Sequence, residues 1–328
     1  MRFMHRLQGF FTASLLLGMA ATATAQDANI TRPVADLEKL FVAEPLVITQ
    51  AQISRPKAKG DITLRAQVSF GGAAPVEVKL RHADPGADSF NNVPRYDLAA
   101  YALQKLFLDP AEYVVPPTAL RMVGRAEFAK YSPDVQRTFA GADQVVAVVQ
   151  YWLSDIRVIA DVYLPDRFAA DPRYARHIGQ LNVLTYLINH RDSNVGNFLI
   201  GKQETGTRVF SIDHGVAFGS EDSDRGEVWK VMRVNRLPAD AVARLRMVTL
   251  DTLKDKLGVL AQWQLKGGVY VPVEPGKNLS DAHGVRRDGD QLQMGLSRSE
   301  IAAVNRLLKK LLEQVDNGKI TLVPAPPT

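Results

Sequence analysis

Residues 184–219 read LTYLINHRDSNVGNFLIGKQETGTRVFSIDHGVAFG, and this stretch decides the fold that the rest of the chain supports. An apolar run with helical spacing ends at Asn189, and a polar loop containing Asp192 and Asn197 follows it. Two short apolar segments come next, with GKQETGTR between them as turn material. The second segment delivers Asp213, so the pattern predicts a helix, a polar loop and a hairpin that returns a carboxylate to that loop.

The spacing of these polar residues suits a phosphoryl-transfer site, which needs positioning and charge neutralisation more than covalent help. Asp192 and Asn197 are five positions apart (197 − 192), and Asp213 follows sixteen positions later (213 − 197). Mg²⁺ or Mn²⁺ prefers oxygen ligands, so Asn197 and Asp213 are the candidate metal ligands. Asp192 is the candidate for orienting or deprotonating an attacking hydroxyl. The alternative interpretation is a hairpin with solvated Asp and Asn side chains in its turns.

Composition indicates a globular protein. The chain has 328 residues, of which 46% are hydrophobic and 23% charged, which fits one large or two medium domains. It has no cysteine, so it forms no disulfide and carries no lipoprotein attachment site. The formal net charge is +5 and becomes +3 (5 − 2) without two arginines near the N-terminus, so nothing indicates nucleic-acid binding.

The first 25 residues have the pattern of a secretory signal peptide. Arg2 and Arg6 precede an apolar run at 10–21, and residues 23–25 form a small-x-small cleavage site. The mature chain would begin near Gln26, in the periplasm or outside the cell, with no stable membrane span after cleavage. A retained membrane anchor is the alternative.

Three segments with partial apolar alternation, residues 45–53, 61–70 and 76–81, predict an antiparallel meander. Lys57 and Lys59 lie in its first turn, where they could cover phosphates. In the third strand, Lys79 shares one face with Glu77 and Arg81, while Val76, Val78 and Leu80 share the other. Taken alone, Lys79 is better explained as a solvated side chain on an open face, because exposed lysine is the usual case.

Several further elements complete the prediction. A helix over 94–108 carries Asp97 in its first turn, where an acid also suits the helix N-terminus. A buried strand over 144–153 ends in a candidate hinge at 150–153, although a plain core strand explains these residues more simply. A helix over 171–189 leads to the polar loop. Helices are expected at 34–41, at 237–258 and at 301–315, the last opened by a capping box that begins at Ser297. A short strand at 263–273 and a loop at 275–289 separate the last two helices.

Taken together, these motifs resemble the atypical kinase-like superfamily. The residues that carry the resemblance are Lys79, the helix sequence YDLAAY at 96–101, the connector VPPT at 115–118, the H-R-D-x-x-x-x-N loop at 190–197 and the D-x-G at 213–215. Its relatives are phosphoinositide 3/4-kinases, HipA-type kinases and secretory-pathway Golgi casein kinases. Three departures stand out: Asp97 occupies a position where Glu is usual, Ser193-Asn194 replaces Arg-His, and there is no G-x-G-x-x-G.

The resemblance implies a two-lobed α+β fold, with a small antiparallel-sheet lobe over 26–153 and a mostly helical C-lobe over 154–328. It also implies a kinase that uses ATP and Mg²⁺ or Mn²⁺ to phosphorylate a hydroxyl acceptor, and the signal peptide adds that this kinase is exported. In that scheme Lys79, held by Asp97, binds nucleotide phosphates, Asp192 is catalytic, and Asn197 and Asp213 bind the metal. The alternative is an inactive pseudokinase-like binding or regulatory protein, favoured by the scarcity of ATP after export and by the altered loop.

Overall fold

A computed structural model describes residues 27–55, 62–89, 92–204, 206–218 and 228–324. Two predicted features lie outside the described residues: the signal peptide at 1–25, and the turn lysines Lys57 and Lys59.

The N-lobe is built on a five-stranded antiparallel sheet with the strand order β1-β2-β3-β5-β4. Its strands are β1 (Leu46–Arg55), β2 (Thr63–Phe70), β3 (Val76–His82), β4 (Thr118–Gly124) and β5 (Gln144–Tyr151). The predicted meander forms β1 to β3, because its apolar alternation buries one face of each strand. Val76, Val78 and Leu80 point into that apolar face, as the alternation in β3 predicts.

Helices cover both faces of this sheet. They are α1 (Val34–Val42), α2 (Pro94–Gln104), a 3₁₀ turn (Pro110–Glu112) and α3 (Arg125–Ala129). Leu37 and Phe41 of α1 pack into the core on one face, which the amphipathic spacing of that helix explains. Helix α2 is buried almost all round, and its alanine pair Ala99-Ala100 lets neighbouring elements approach closely. This burial fixes the orientation of every polar side chain that α2 carries.

A second antiparallel sheet packs against the other face of strands β4 and β5, and the sequence analysis did not anticipate it. Its strands are β10 (Ala261–Lys266), β11 (Val269–Val273), β12 (Val285–Asp288) and β13 (Gln291–Met294), in the order β11-β10-β13-β12. The prediction of one short strand followed by a loop was therefore incomplete: two hairpins form there. Buried Trp263, Tyr270, Leu292 and Met294 share a core with Leu120 and neighbouring residues of the N-lobe sheet.

The C-lobe holds the remaining elements. They are β6 (Ile156–Arg157), α4 (Pro165–Ala170), α5 (Pro172–Leu187), β7 (Phe198–Gly201), β8 (Val209–Ser211), β9 (Arg236–Pro238), α6 (Ala239–Arg246), α7 (Leu250–Leu257), α8 (Arg298–Asp316) and β14 (Thr321–Val323). Helix α5 ends at the polar loop, and β7 and β8 form the predicted hairpin. The capping box of α8 is confirmed, with Ser297 and Glu300 bonded reciprocally. The two-lobed α+β fold is thus the one that the sequence predicts.

No helix in the described ranges is both long enough and apolar enough to cross a membrane.

The packing of the second sheet generates a stability prediction. Leu292→Ala deletes a fully buried side chain where the two sheets meet, so it should lower the free energy of unfolding by about 2–5 kcal/mol. The matched control Leu250→Ala, at a position 38% exposed, should cost less than about 1 kcal/mol. Urea denaturation of both variants measures the difference. Equal losses in the two variants would contradict a contribution of the packing between the two sheets to stability.

Candidate active site

A cavity of about 370 Å³ lies between the N-lobe sheet and the β7–β8 hairpin. This volume falls within the range of sites for small-molecule ligands. The polar side chains on its wall include those of Lys79, Asp192, Asn194, Asn197 and Asp213. The cavity thus brings together one residue of β3, the polar loop after α5 and the end of the hairpin, as the sequence analysis expects.

Hydrogen bonds within the polar loop shape it around Asp192. Asn194 Nδ2 donates to Asp192 Oδ1 at 2.5 Å, and Asn197 Nδ2 donates to the Asp192 carbonyl oxygen at 2.7 Å. The N–H of Ile212 donates to the Asn197 carbonyl oxygen at 2.9 Å, which joins the loop to the hairpin. Asn194, which stands in one of the altered loop positions, therefore orients the carboxylate of Asp192.

Asp213 sits at the end of the hairpin in an unusual backbone conformation. Its φ is +64°, in the left-handed region that Asp tolerates better than most non-glycine residues. Two cations contact its Oδ1: Lys79 Nζ at 3.3 Å and Arg81 Nη1 at 2.5 Å. Lys79 and Arg81 share one face of β3, and both are more than 90% buried. The carboxylate of Asp213 is thus held against the sheet by two positive charges.

Asp97 is fully buried, and its expected pairing with Lys79 is not what the structure shows. Its Oδ2 accepts a hydrogen bond from Arg81 Nη2, and its Oδ1 accepts one from the backbone N–H of His214 at 3.0 Å. Lys79 instead contacts Asp213. Arg81 is the residue that the sequence analysis missed, although the alternation of β3 already placed it on the same face as Lys79.

The segment after β5 lines the cavity at the place expected for a hinge. The cavity wall includes Gln150, Tyr151, Trp152 and Leu153. The N–H of Trp152 donates to the Glu77 carbonyl oxygen at 3.1 Å. Within the described ranges, neither the N–H nor the C=O of Leu153 has a hydrogen-bond partner, so both can serve a ligand in the cavity.

The segment that precedes α1 anchors residues 151–155 from behind. Asn29 Nδ2 donates to the carbonyl oxygens of Ser154 at 3.0 Å and Asp155 at 3.1 Å. The Asn29 carbonyl oxygen in turn accepts from the Ser154 N–H at 3.0 Å. Thr31 Oγ1 lies 2.9 Å from the hydroxyl of Tyr151, the last residue of β5. These bonds satisfy the backbone on the outer side of the turn.

Two fully buried histidines support the loop and the hairpin from below. The rings of His190 and His214 are 5.1 Å apart, and His190 also packs on Phe198. Ser211 Oγ lies 2.9 Å from Nε2 of His214. Burial lowers the pKa of each imidazole to about 3. A smaller part of the lowering comes from His214 for the pKa of His190, and from Lys79 for the pKa of His214. Both rings are therefore neutral near pH 7, and neither lines the cavity.

The donor set fits a hard divalent cation. Asn197 is 9% exposed, and no described residue donates a hydrogen bond to its Oδ1, while Nδ2 is engaged with Asp192. Asp213 offers a carboxylate on the same cavity wall. A cluster of three or more His, Cys, Asp or Glu side chains that could hold a metal does not occur among the described residues. One carboxylate and one amide oxygen suit Mg²⁺ or Mn²⁺, because such ions keep several waters and bind substrate phosphates.

Comparison with known proteins supports the fold without a sequence match. No protein-family model matches the chain, and no curated protein matches it. One similar solved structure is a Golgi casein kinase, with a TM-score of 0.56 and 14% identity, covering 89% of this chain and 78% of that one. Another is the Golgi casein kinase with Mn/ADP bound, with a TM-score of 0.55 and 13% identity, covering 92% of this chain and 82% of that one. The chain thus has a kinase-like fold.

The buried His190 generates a prediction of pH dependence. Its pKa is about 3 in the folded protein against the ordinary histidine value of 6.5, so below about pH 6 the unfolded chain binds a proton that the folded chain does not. Stability is therefore lost as the pH falls from about 6.5 toward 3. Replacing the ring by His190→Phe should reduce the slope of unfolding free energy against pH by about 1 kcal/mol per pH unit between roughly pH 6 and pH 4.5.

Urea titrations at several pH values measure that slope. The control is His283→Phe, at an exposed position, which should leave the slope of the wild-type protein unchanged. A wild-type slope in the His190→Phe variant would show that His190 takes up its proton in the folded state.

Proposed function

We propose that the chain is an ATP-dependent phosphotransferase that uses Mg²⁺ or Mn²⁺ and transfers phosphate to a hydroxyl group. The observation that carries this proposal is the convergence of Lys79, Asp192, Asn197 and Asp213 on one cavity that Leu153 also lines. Phosphoryl transfer is catalysed mainly by positioning and electrostatics, and these groups supply both. The Golgi casein kinase neighbour with Mn/ADP bound is consistent with the same ligand class.

Each residue has a distinct task in this proposal. The N–H and C=O of Leu153 bind the adenine edge, and Lys79 neutralises phosphate oxygens. Asp192, oriented by Asn194, accepts the proton of the acceptor hydroxyl. The hydroxyl oxygen bonds to the γ-phosphorus as the bond from that phosphorus to ADP breaks and ADP leaves. Asp97 does not touch the nucleotide in this scheme, because it is fully buried and absent from the cavity wall.

Asn197 Oδ1 and the carboxylate of Asp213 would hold the divalent cation, whose contribution is to neutralise phosphate charge. The loop fixes the amide of Asn197 through Asp192, and β3 fixes Asp213 through its two cations. Both metal-binding side chains are therefore oriented before the metal ion or ATP binds, which lowers the entropy lost on binding.

The cellular setting is part of the proposal. The signal peptide at 1–25 would take the mature chain, with its lobes at 26–153 and 154–328, to the periplasm or outside the cell. The acceptor there is a hydroxyl of a protein, a lipid or a small molecule.

A pseudokinase-like binding protein is the second candidate, and one contact favours it. Lys79 and Arg81 both lie against Oδ1 of Asp213, so this carboxylate is already neutralised by the protein. A carboxylate held in this way attracts a metal ion less strongly than an isolated one. In that case the cavity would bind a ligand without transferring phosphate.

The metal assignment gives a direct prediction. Asp213→Ala removes a metal ligand and should abolish the Mn²⁺-dependent binding of ATP, which calorimetry measures on the mature chain. Asp251→Asn, at an exposed carboxylate on helix α7, is the control and should bind ATP as the wild-type chain does. Unchanged binding by Asp213→Ala would refute the role of Asp213.

The assignment of Asp192 is tested by transfer rather than binding. Asp192→Asn keeps a side chain of the same size but cannot accept the proton, so transfer should fall by about 10²–10⁴-fold. Its ATP affinity should stay within about threefold of the wild-type value. Transfer of ³²P from ATP to a mixture of protein, lipid and small-molecule acceptors measures the rate. ATP binding by the wild-type chain with no transfer to any acceptor class would favour the pseudokinase.

A further inference from the structure

The cations of β3 differ in their position relative to the cavity. Lys79 lines the cavity wall, whereas Arg81 is not among the lining residues and is 2% exposed. In the described part of the chain, Lys79 makes one ion pair, with Asp213. Arg81 contacts two carboxylates at once, those of Asp97 and Asp213. One cation therefore faces the ligand space, and the other lies behind it.

We infer that Arg81, rather than Lys79, is the positioning residue that ties helix α2 to the metal-binding carboxylate, and that Lys79, which pairs with Asp213 and not with α2, is left to contact the phosphates from the cavity wall. This inference rests on the proposed function. The expected Lys79–Asp97 pair would give one lysine two tasks, holding helix α2 and contacting the phosphates. The inference divides these tasks between Arg81 and Lys79.

The chemistry of the guanidinium group explains why an arginine fits this task. It is planar and presents five N–H donors in a fixed fork, so it can hold two carboxylates in a defined geometry. Here Nη1 bonds Asp213 and Nη2 bonds Asp97. A lysine ammonium is a point charge on a flexible stem and imposes no such geometry. Arg81→Lys therefore keeps the charge and loses the bridge.

The bridge connects three separate elements. Arg81 belongs to β3, Asp97 to α2 and Asp213 to the end of the β7–β8 hairpin. The second oxygen of Asp97 accepts the backbone N–H of His214, the residue after Asp213, at 3.0 Å. Asp213 is thus held from two sides, through its own carboxylate and through the following peptide. A shift of α2 would move the metal ligand through both contacts.

The first experiment separates the two cations by ligand. Mn²⁺ is titrated at a saturating concentration of ATP, and ATP is titrated without metal, for the wild-type chain and for Arg81→Lys, Lys79→Met and Arg125→Met. The last variant is the control, because Arg125 forms a surface pair with Asp143 on the same lobe. Arg81→Lys should raise the half-saturating Mn²⁺ concentration at least about tenfold and leave metal-free ATP affinity within about twofold.

Lys79→Met should show the opposite pattern, with metal-free ATP affinity lowered at least about tenfold and the half-saturating Mn²⁺ concentration within about threefold. Arg125→Met should match the wild-type chain in both titrations. A half-saturating Mn²⁺ concentration within twofold of the wild-type value in Arg81→Lys overturns the inference. The inference is also overturned if Lys79→Met raises the half-saturating Mn²⁺ concentration as much as Arg81→Lys does.

A second experiment needs no ligand and separates the inference from the proposed function. Asp97→Asn is combined with Arg81→Met and, separately, with Lys79→Met, and melting temperatures are compared. Removing one partner of a buried pair leaves an uncompensated charge, so Asp97→Asn should lower the melting temperature by at least about 5 °C in the wild-type and Lys79→Met backgrounds. In the Arg81→Met background it should cause little loss or a gain.

The two experiments give distinguishable outcomes. A wild-type chain that binds no ATP with any metal refutes the proposed function, and the melting temperatures then decide whether Arg81 is the partner of Asp97. Equal losses in the Arg81→Met and Lys79→Met backgrounds refute the bridge whether or not ATP binds.

Discussion

The buried carboxylate of Asp97 is the constraint on which the rest of the site depends. A charge with no exposure to water is tolerated only when it is paired and fully hydrogen-bonded. Asp97 meets this requirement with Arg81 from the sheet and the His214 N–H from the hairpin, so its burial forces three elements together. The α2 helix cannot turn or slide without leaving a charge unpaired. The site is therefore held from behind by a buried ion pair rather than by surface contacts.

Packing on the far side of α2 reinforces this arrangement. Arg95 of the same helix bonds both oxygens of Glu300, the capping residue of α8, at 2.8 and 2.9 Å. Tyr96 donates to Glu300 Oε1 at 2.5 Å. The second sheet covers β4 and β5, and Asn29 holds the turn after β5. These contacts tie the elements around the cavity to their neighbours, which is the arrangement that preorganised binding requires.

The sequence predicted the features that depend on short-range order. The helix, loop and hairpin of residues 184–219 follow from local periodicity and turn residues, and the faces of β3 follow from alternation. The second sheet was missed because its strands are four to six residues long and carry exposed polar positions between glycine turns, so they read as loop. The partner of Asp97 was missed because two cations share one strand face, and only the packing of α2 decides between them.

The length of the helix acid accounts for the choice between those cations. Asp97 is one methylene shorter than a glutamate would be, so its carboxylate reaches less far across the lobe. Arginine is longer than lysine and donates from more than one nitrogen. The short side chain of Asp97 is therefore matched by the long side chain of Arg81, which lies on the same face of β3 as Lys79. Arg81 lies two positions beyond Lys79 in β3, and its guanidinium group reaches Asp97 from behind the cavity. Asp97 and Arg81 therefore keep the helix bound to the sheet while Lys79 stays at the cavity wall.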